Sequence, residues 1–369
     1  MVGSLDARSS LETANGSFVV RNRSHRALLT CMSRVLVVND DGIHAPGLHA
    51  LVAALASLEL DGVAVYVAAP TSERSATGHG ITIHTPLVAY PVSVPHAKES
   101  YAITGLPADC TMLALGPLFA PGSFDLVVSG INRGNNYGLH VIYSGTVAAA
   151  REAAAACVPA LALSLNAYTA DADYTHAASA ALPIIRRMLC RFGAAGGPGT
   201  GSSAALLGAV VNVNFPAGPL ARMRGYVYAR QSYETTLPSF AEVAVPDSVP
   251  GLCNLPRPLP AMARAWVNGL KYVARIDREP GTDSAAVADG YVAVSLVRLL
   301  SDATPASEVA PVQTAPPPPP ALDATGLTDE AADYVLEVAA AAAKLAAGAF
   351  PVAVKLRPPL AAPAETSSL

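Results

Sequence analysis

The feature that most constrains the fold is a repeated alternation, in which a short apolar run ends in a polar, glycine-containing loop and a helical stripe follows. Residues 34–38 read Arg-Val-Leu-Val-Val and run straight into Asn39-Asp-Asp-Gly42, which is how a buried parallel strand meets its loop. Leu48, Leu51, Val52 and Leu55 then fall at i, i+3, i+4 and i+7 behind Pro46, the apolar face of a helix with proline in its first turn. The pattern recurs. Further strands are predicted over residues 63–69, 125–129 and 160–165, and helices over 108–115, 146–157 and 173–190, the last with Pro183 as an expected kink. Strand alternating with helix specifies an α/β fold. The expectation is a Rossmann-like, doubly wound, mostly parallel sheet whose ligands bind beyond the carboxyl ends of the strands.

Past residue 192 the texture changes. Residues 193–203 are so rich in Gly, Ala and Ser that they read as a flexible insertion. Gly197, Gly199 and Gly201 lack both the preceding strand and the lysine of a Walker phosphate loop. A strand resumes over 209–213, and residues from about 222 to 300 read as a smaller β-rich extension ending in a strand over 291–296. Residues 303–327, with the prolines at 316–320, read as a linker or loop, and residues 328–369 as a helix and tail. Residues 1–33 are rich in Ser and Arg without the apolar core of a signal peptide. They read as a disordered extension, with an organellar transit peptide as the alternative, and the folded unit is expected to begin at residue 34.

Composition removes several classes of function. The formal net charge is -4, which gives no broad basic face, so a nucleic-acid polymer is not an expected partner. Although 51% of residues are hydrophobic, much of that is alanine. No run reaches the ~20 apolar residues a spanning helix needs, and no membrane association is expected. The cysteines, Cys31, Cys110, Cys157, Cys190 and Cys253, are odd in number and widely spaced, a pattern of buried free thiols in a cytoplasmic chain. Neither HExxH nor paired CxxC motifs occur, which argues against a zinc hydrolase. A G-x-S-x-G elbow is missing too, which argues against a serine hydrolase.

Three loops carry the chemistry. Asp40 and Asp41 follow the first strand directly; adjacent carboxylates at a sheet rim suit a hard cation such as Mg²⁺ or Mn²⁺, although Asn-Asp-Asp-Gly is also good turn sequence. The second loop, Glu73-Arg-Ser-Ala-Thr-Gly-His-Gly80, follows the second strand. There Arg74 can pair with a phosphate or an aspartate, Ser75 can offer a neutral oxygen to a metal, and Gly78 permits close backbone approach. His79 reads as a loop histidine rather than a ligand, and an ordinary polar loop is the competing reading. The third, Ser129-Gly-Ile-Asn-Arg-Gly-Asn-Asn-Tyr-Gly138, holds Asn132, whose side-chain carbonyl suits a metal. Tyr143-Ser-Gly-Thr146 then opens a helix, where free amides and the Ser144 and Thr146 hydroxyls make an anion cradle or, more simply, a helix cap.

These motifs, with Pro107-Ala-Asp-Cys110 and, more weakly, Asn212-Val-Asn-Phe-Pro216 and Asp289-Gly-Tyr-Val-Ala-Val294, resemble the SurE (survival protein E) family in order and spacing. The strong match covers roughly residues 34–165, the weaker likeness beyond it implies a folded unit over 34–302, and the alanine-rich helices look closer to plant members than to compact bacterial ones. The resemblance implies hydrolysis of nucleoside 5′- and 3′-monophosphates, with short polyphosphate as a further substrate, and assembly into a homodimer or homotetramer. It also implies one divalent ion per subunit, Mg²⁺ or Mn²⁺, held by Asp40, Asp41, Ser75 and Asn132. Gly130, Ser144, Gly145 and Thr146, with Asn39 and Asn132, would shape the phosphate site, and Asp40, Asp41 and Ser144 would be catalytic. Gly80 and Leu106 depart from the family, which often has Ser and Thr there; neither is a proposed ligand. Two mechanisms stay open, a water activated beside the ion and an aspartyl-phosphate intermediate. A non-catalytic nucleotide- or phosphate-binding module is the rival from another class.

Overall fold

Val35 and Val37 face one side of the first strand and Leu36 and Val38 the other, all without solvent exposure, so this strand must be covered on both faces. The computed structural model describes residues 33–58, 62–119, 124–169, 171–192, 208–245, 264–275 and 279–299, together with 332, 333 and 335–337. In chain order the elements are β1 (Ser33–Val38), α1 (Pro46–Ala56), β2 (Val63–Pro70), β3 (Ala89–Pro91), β4 (Glu99–Ile103), α2 (Pro107–Leu113), β5 (Leu126–Arg133), α3 (Gly145–Ala155), β6 (Ala160–Leu165), α4 (Thr175–Phe192), β7 (Ala209–Phe215), β8 (Tyr226–Tyr228), β9 (Thr235–Val243), β10 (Ala265–Arg275), α5 (Asp283–Ala288) and β11 (Val292–Arg298).

Nine strands form one sheet in the order β3-β4-β2-β1-β5-β6-β7-β11-β8. The run from β4 to β7 is parallel, while β3 and β11 are antiparallel to β4 and β7. The apolar faces of α1 and α4 pack on one side and those of α2 and α3 on the other. Leu48, Leu51, Val52 and Leu55 of α1 are wholly buried, and each such side chain contributes about 1.5–3 kcal/mol relative to an exposed one. The doubly wound sheet expected from the alternation is therefore present. The chain leaves β1 for β2 on one side and later returns to β5 on the other, so the crevice between β1 and β5 is the switch point where such sheets bind ligands.

The expected extension divides in two. β9 and β10 form a separate two-stranded ribbon, whereas β8 and β11 join the main sheet, with β11 paired along its length to β7. α4 continues through Pro183 as one element. Cys110 is buried as expected, but Cys157 and Cys190 are exposed, so the expectation of uniformly buried thiols is corrected. Residues 332–333 and 335–337 are helical, and Ala332, Val335 and Leu336 bury against the layer of α1 and α4. The expectations for residues 1–32, the Gly/Ala/Ser segment over 193–207, the linker with its prolines, the rest of the C-terminal helix and tail, Cys31 and Cys253 lie outside the described residues. No helix among the described residues is long and apolar enough to cross a membrane.

Asp109, fully buried on α2, ties the second loop to this framework. Its carboxylate accepts from the Thr82 backbone (2.9 Å), the Thr82 hydroxyl (2.6 Å) and the Leu106 backbone (2.8 Å). Asp109→Ala strips three donors of one charged acceptor and should destabilise the chain by about 3 kcal/mol. The check is a lower urea midpoint with unchanged slope.

Candidate active site

The three oxygen-rich loops emerge at the carboxyl ends of β1, β2 and β5, and backbone hydrogen bonds stitch them together. Ile43 N donates to Pro70 O at 2.8 Å and Arg74 N to Asp40 O at 2.7 Å, which joins the first loop to the second. Arg133 N donates to Asp41 Oδ2 at 3.0 Å, which joins the third loop to the first. Gly78 N donates to Tyr143 O at 2.9 Å, and the His79 ring meets Glu152 Oε1 at 2.6 Å, so the second loop is also fastened to α3 and its approach.

β5 is deformed where it reaches the site. Ser129 pairs with Ala162 but Asn132 with Ser164, so an extra residue is bulged between them. Gly130 sits there with φ 140°, and a Cβ would lie 2.4 Å from Leu163 O. Only glycine fits this close approach. The bulge carries Asn132 and Arg133 to the rim beside Asp41.

Asp40 is 4% exposed. Its carboxylate accepts from the Thr146 hydroxyl, in the first turn of α3. Burial, and then the neighbouring Asp41 charge, push its pKa up to about 7. Burial also raises Asp41, against the stabilising Arg133 amide and guanidinium. Two adjacent carboxylates that both resist ionisation form an acidic centre that the one nearby guanidinium, Arg133, only partly offsets. Neutral oxygens are carried by Asn132 and Ser75, on the two loops stitched to this pair. Asn132 spends its amide nitrogen on Gly134 O (2.9 Å) and Arg133 O (3.4 Å), which leaves Oδ1 as an acceptor, and Ser75 Oγ donates its proton to Glu73 Oε1 at 2.8 Å, which leaves its lone pairs. An all-oxygen set with two carboxylates suits a hard divalent cation. Among the described residues no group of three or more His, Cys, Asp or Glu gathers to hold a metal.

Beside the carboxylates lies the N-terminus of α3. Ser144 is its cap, with Oγ accepting from Val147 N at 3.0 Å. Gly145 packs so tightly that a Cβ would lie 2.8 Å from Asp40 Cβ and 3.0 Å from both Asp40 Oδ2 and Pro107 Cγ. Thr146 and Asn39, both expected at the phosphate, also make contacts within the protein. The Thr146 hydroxyl holds Asp40, and the Asn39 amide closes the first loop through Gly42 N and O at 3.2 and 2.9 Å.

The family model described as "Survival protein SurE" matches residues 35–236. The chain belongs to the SurE family. It is 35% identical over 269 residues to a protein named 5′-nucleotidase SurE from Symbiobacterium thermophilum, covering 73% of this chain and 93% of that one. With 5′-nucleotidase SurE 1 of Thermus thermophilus the identity is 38% over 268 residues, covering 72% and 92%. With the 5′-nucleotidase SurE of Heliobacterium modesticaldum it rises to 44% over 196 residues, but the match spans only 64% of that protein and 52% of this chain. The solved SurE protein from Aquifex aeolicus, 27% identical, superposes with a TM-score of 0.55 over 73% of this chain and 95% of its own.

Within this SurE site three groups carry weight that the sequence reading did not assign. The Arg133 guanidinium donates to both oxygens of Glu73 at 3.0 and 3.1 Å. Tyr174, just before α4, has its pKa raised to about 12 by burial and the Asp41 charge. Asp41, Glu73, Arg133 and Tyr174 line a cavity of about 110 Å³ next to the acidic pair. Arg133 stood inside a motif already singled out, but Tyr174 carries no local signal and only the fold brings it here.

Proposed function

We propose that the chain is a divalent-metal-dependent 5′-nucleotidase that also acts on nucleoside 3′-monophosphates, with Asp40, Asp41, Ser75 and Asn132 holding one Mg²⁺ or Mn²⁺ ion. The carrying observation is the contact between Asp40 and the first turn of α3, because it sets an acidic centre directly against a helix N-terminus that favours anions. Divalent-metal dependence accords with the SurE nucleotidases.

A bound divalent ion supplies Lewis-acid polarisation of a phosphoryl oxygen. The Ser144 hydroxyl and the Gly145 amide, at the opening of α3, would bind the equatorial phosphate oxygens and stabilise their growing charge. Thr146 keeps Asp40 oriented, and Asp41, anchored by the Arg133 amide, would accept the proton of the attacking water. Exposed Tyr143, immediately before Ser144, offers an aromatic surface where a nucleoside can stack. Assembly into a homodimer or homotetramer and a cytoplasmic location belong to the same proposal.

The test is phosphate release from a panel of 5′- and 3′-monophosphates with Mn²⁺, with Mg²⁺ and with EDTA. Release that needs the ion and vanishes with the chelator is expected. Tight nucleotide binding without release under any ion would favour the non-catalytic binding module instead.

A further inference from the structure

Glu73 and Arg133 lie outside the four proposed metal ligands, yet they connect the loops that bear them. Ser75 Oγ donates to Glu73 Oε1 at 2.8 Å, and Arg133 Nη2 donates to Glu73 Oε1 and Oε2 at 3.0 and 3.1 Å. The Arg133 backbone amide meanwhile donates to Asp41 Oδ2 at 3.0 Å. One unbroken chain of contacts therefore runs from Ser75 through Glu73 and Arg133 to Asp41.

A serine hydroxyl has one proton and two lone pairs. To offer oxygen to a cation it must turn its proton elsewhere, and Glu73 receives that proton. Stability does not account for the arrangement. The Arg133 and Glu73 side chains are 37% and 51% exposed, and an ion pair so open to solvent contributes only about 0–1 kcal/mol to folding. Its geometric effect is larger, since it fixes in one direction a hydroxyl on an exposed loop that would otherwise rotate freely.

We propose that Glu73, clamped by Arg133, is a positioning residue that aims the Ser75 hydroxyl oxygen at the metal ion and couples that loop to Asp41. The proposal rests on the metal-dependent reading given above. Partners that orient a metal ligand typically change metal affinity by roughly 10- to 100-fold when removed.

Mn²⁺ binding to the full chain, followed by titration calorimetry, tests it without reference to turnover. Glu73→Ala is expected to weaken Mn²⁺ binding by about 10-fold or more. Glu73→Gln, which keeps an acceptor for the Ser75 proton but loses the charge that Arg133 grips, should recover part of that loss. In a Ser75→Ala background, Glu73→Ala should add less than about twofold, because residues acting through one contact are non-additive. Unchanged affinity in Glu73→Ala overturns the proposal. So does an equal loss with and without the Ser75 hydroxyl, which is the signature of a carboxylate acting through its field alone. Wild-type chain that takes up no Mn²⁺ overturns the metal-dependent reading as a whole, whereas failure of the positioning role leaves wild-type binding intact.

Discussion

Asp41→Asn is expected to cut metal-stimulated phosphate release by about 10³-fold, since Lewis-acid stabilisation supplies several kcal/mol and each 1.36 kcal/mol is tenfold in rate. The fold should survive. Asparagine keeps an oxygen that can accept the Arg133 amide, now held at 3.0 Å by Asp41 Oδ2, so the stitch between the first and third loops persists. Asp40→Asn should be equally inactive, for the amide still accepts from Thr146 but has lost the charge that would face a cation. A second readout separates lost ligation from lost structure. A ligand that binds only the folded chain stabilises it by about 2.7 kcal/mol at a hundred times its Kd. Mn²⁺ should therefore raise the Tm of the wild type and leave that of either variant nearly unmoved. Full turnover in both variants would remove the acidic pair from the mechanism.

The parts of the molecule that were legible in advance are those whose signal is local. β1, β2, β6 and α1 fell within a residue or two of expectation, because continuous apolar runs and the i, i+3, i+4, i+7 stripe report burial directly. β3 and β4 were missed. They are short, Pro91 closes the first, and their pairing is decided by the edge of the sheet rather than by any alternation in residues 89–103. The incorporation of β11 between β7 and β8 was equally invisible, being a pairing between segments some eighty residues apart. At the site, the motifs located the loops but not the contacts between them. Thr146 reaches Asp40 across 106 positions and Arg133 reaches Glu73 across 60. A hydroxyl at a helix start reads as a phosphate ligand in the sequence, and only the fold shows that a buried carboxylate lies beside it.

The same burial makes Gly145 the position where the smallest change should have a large effect on turnover. A Cβ there would lie 2.8 Å from Asp40 Cβ, 3.0 Å from its Oδ2 and 3.0 Å from Pro107 Cγ. Contacts under 3 Å between carbons are repulsive, so something must move. Pro107 opens α2 and is buried, which leaves the Asp40 side chain as the part that yields. At 4% exposure it has no solvent to move into, and its shift must break the grip of Thr146. Gly145→Ala should therefore lower kcat by about 10²-fold, the scale associated with a 1 Å misplacement of a reacting group. Because Gly145 is the first residue of α3 and the change removes no buried side chain, the global fold should lose less stability than turnover loses rate. The check is kcat against the urea midpoint: a large fall in the first with a small change in the second is expected, and wild-type kcat would show that Asp40 need not sit where Thr146 holds it.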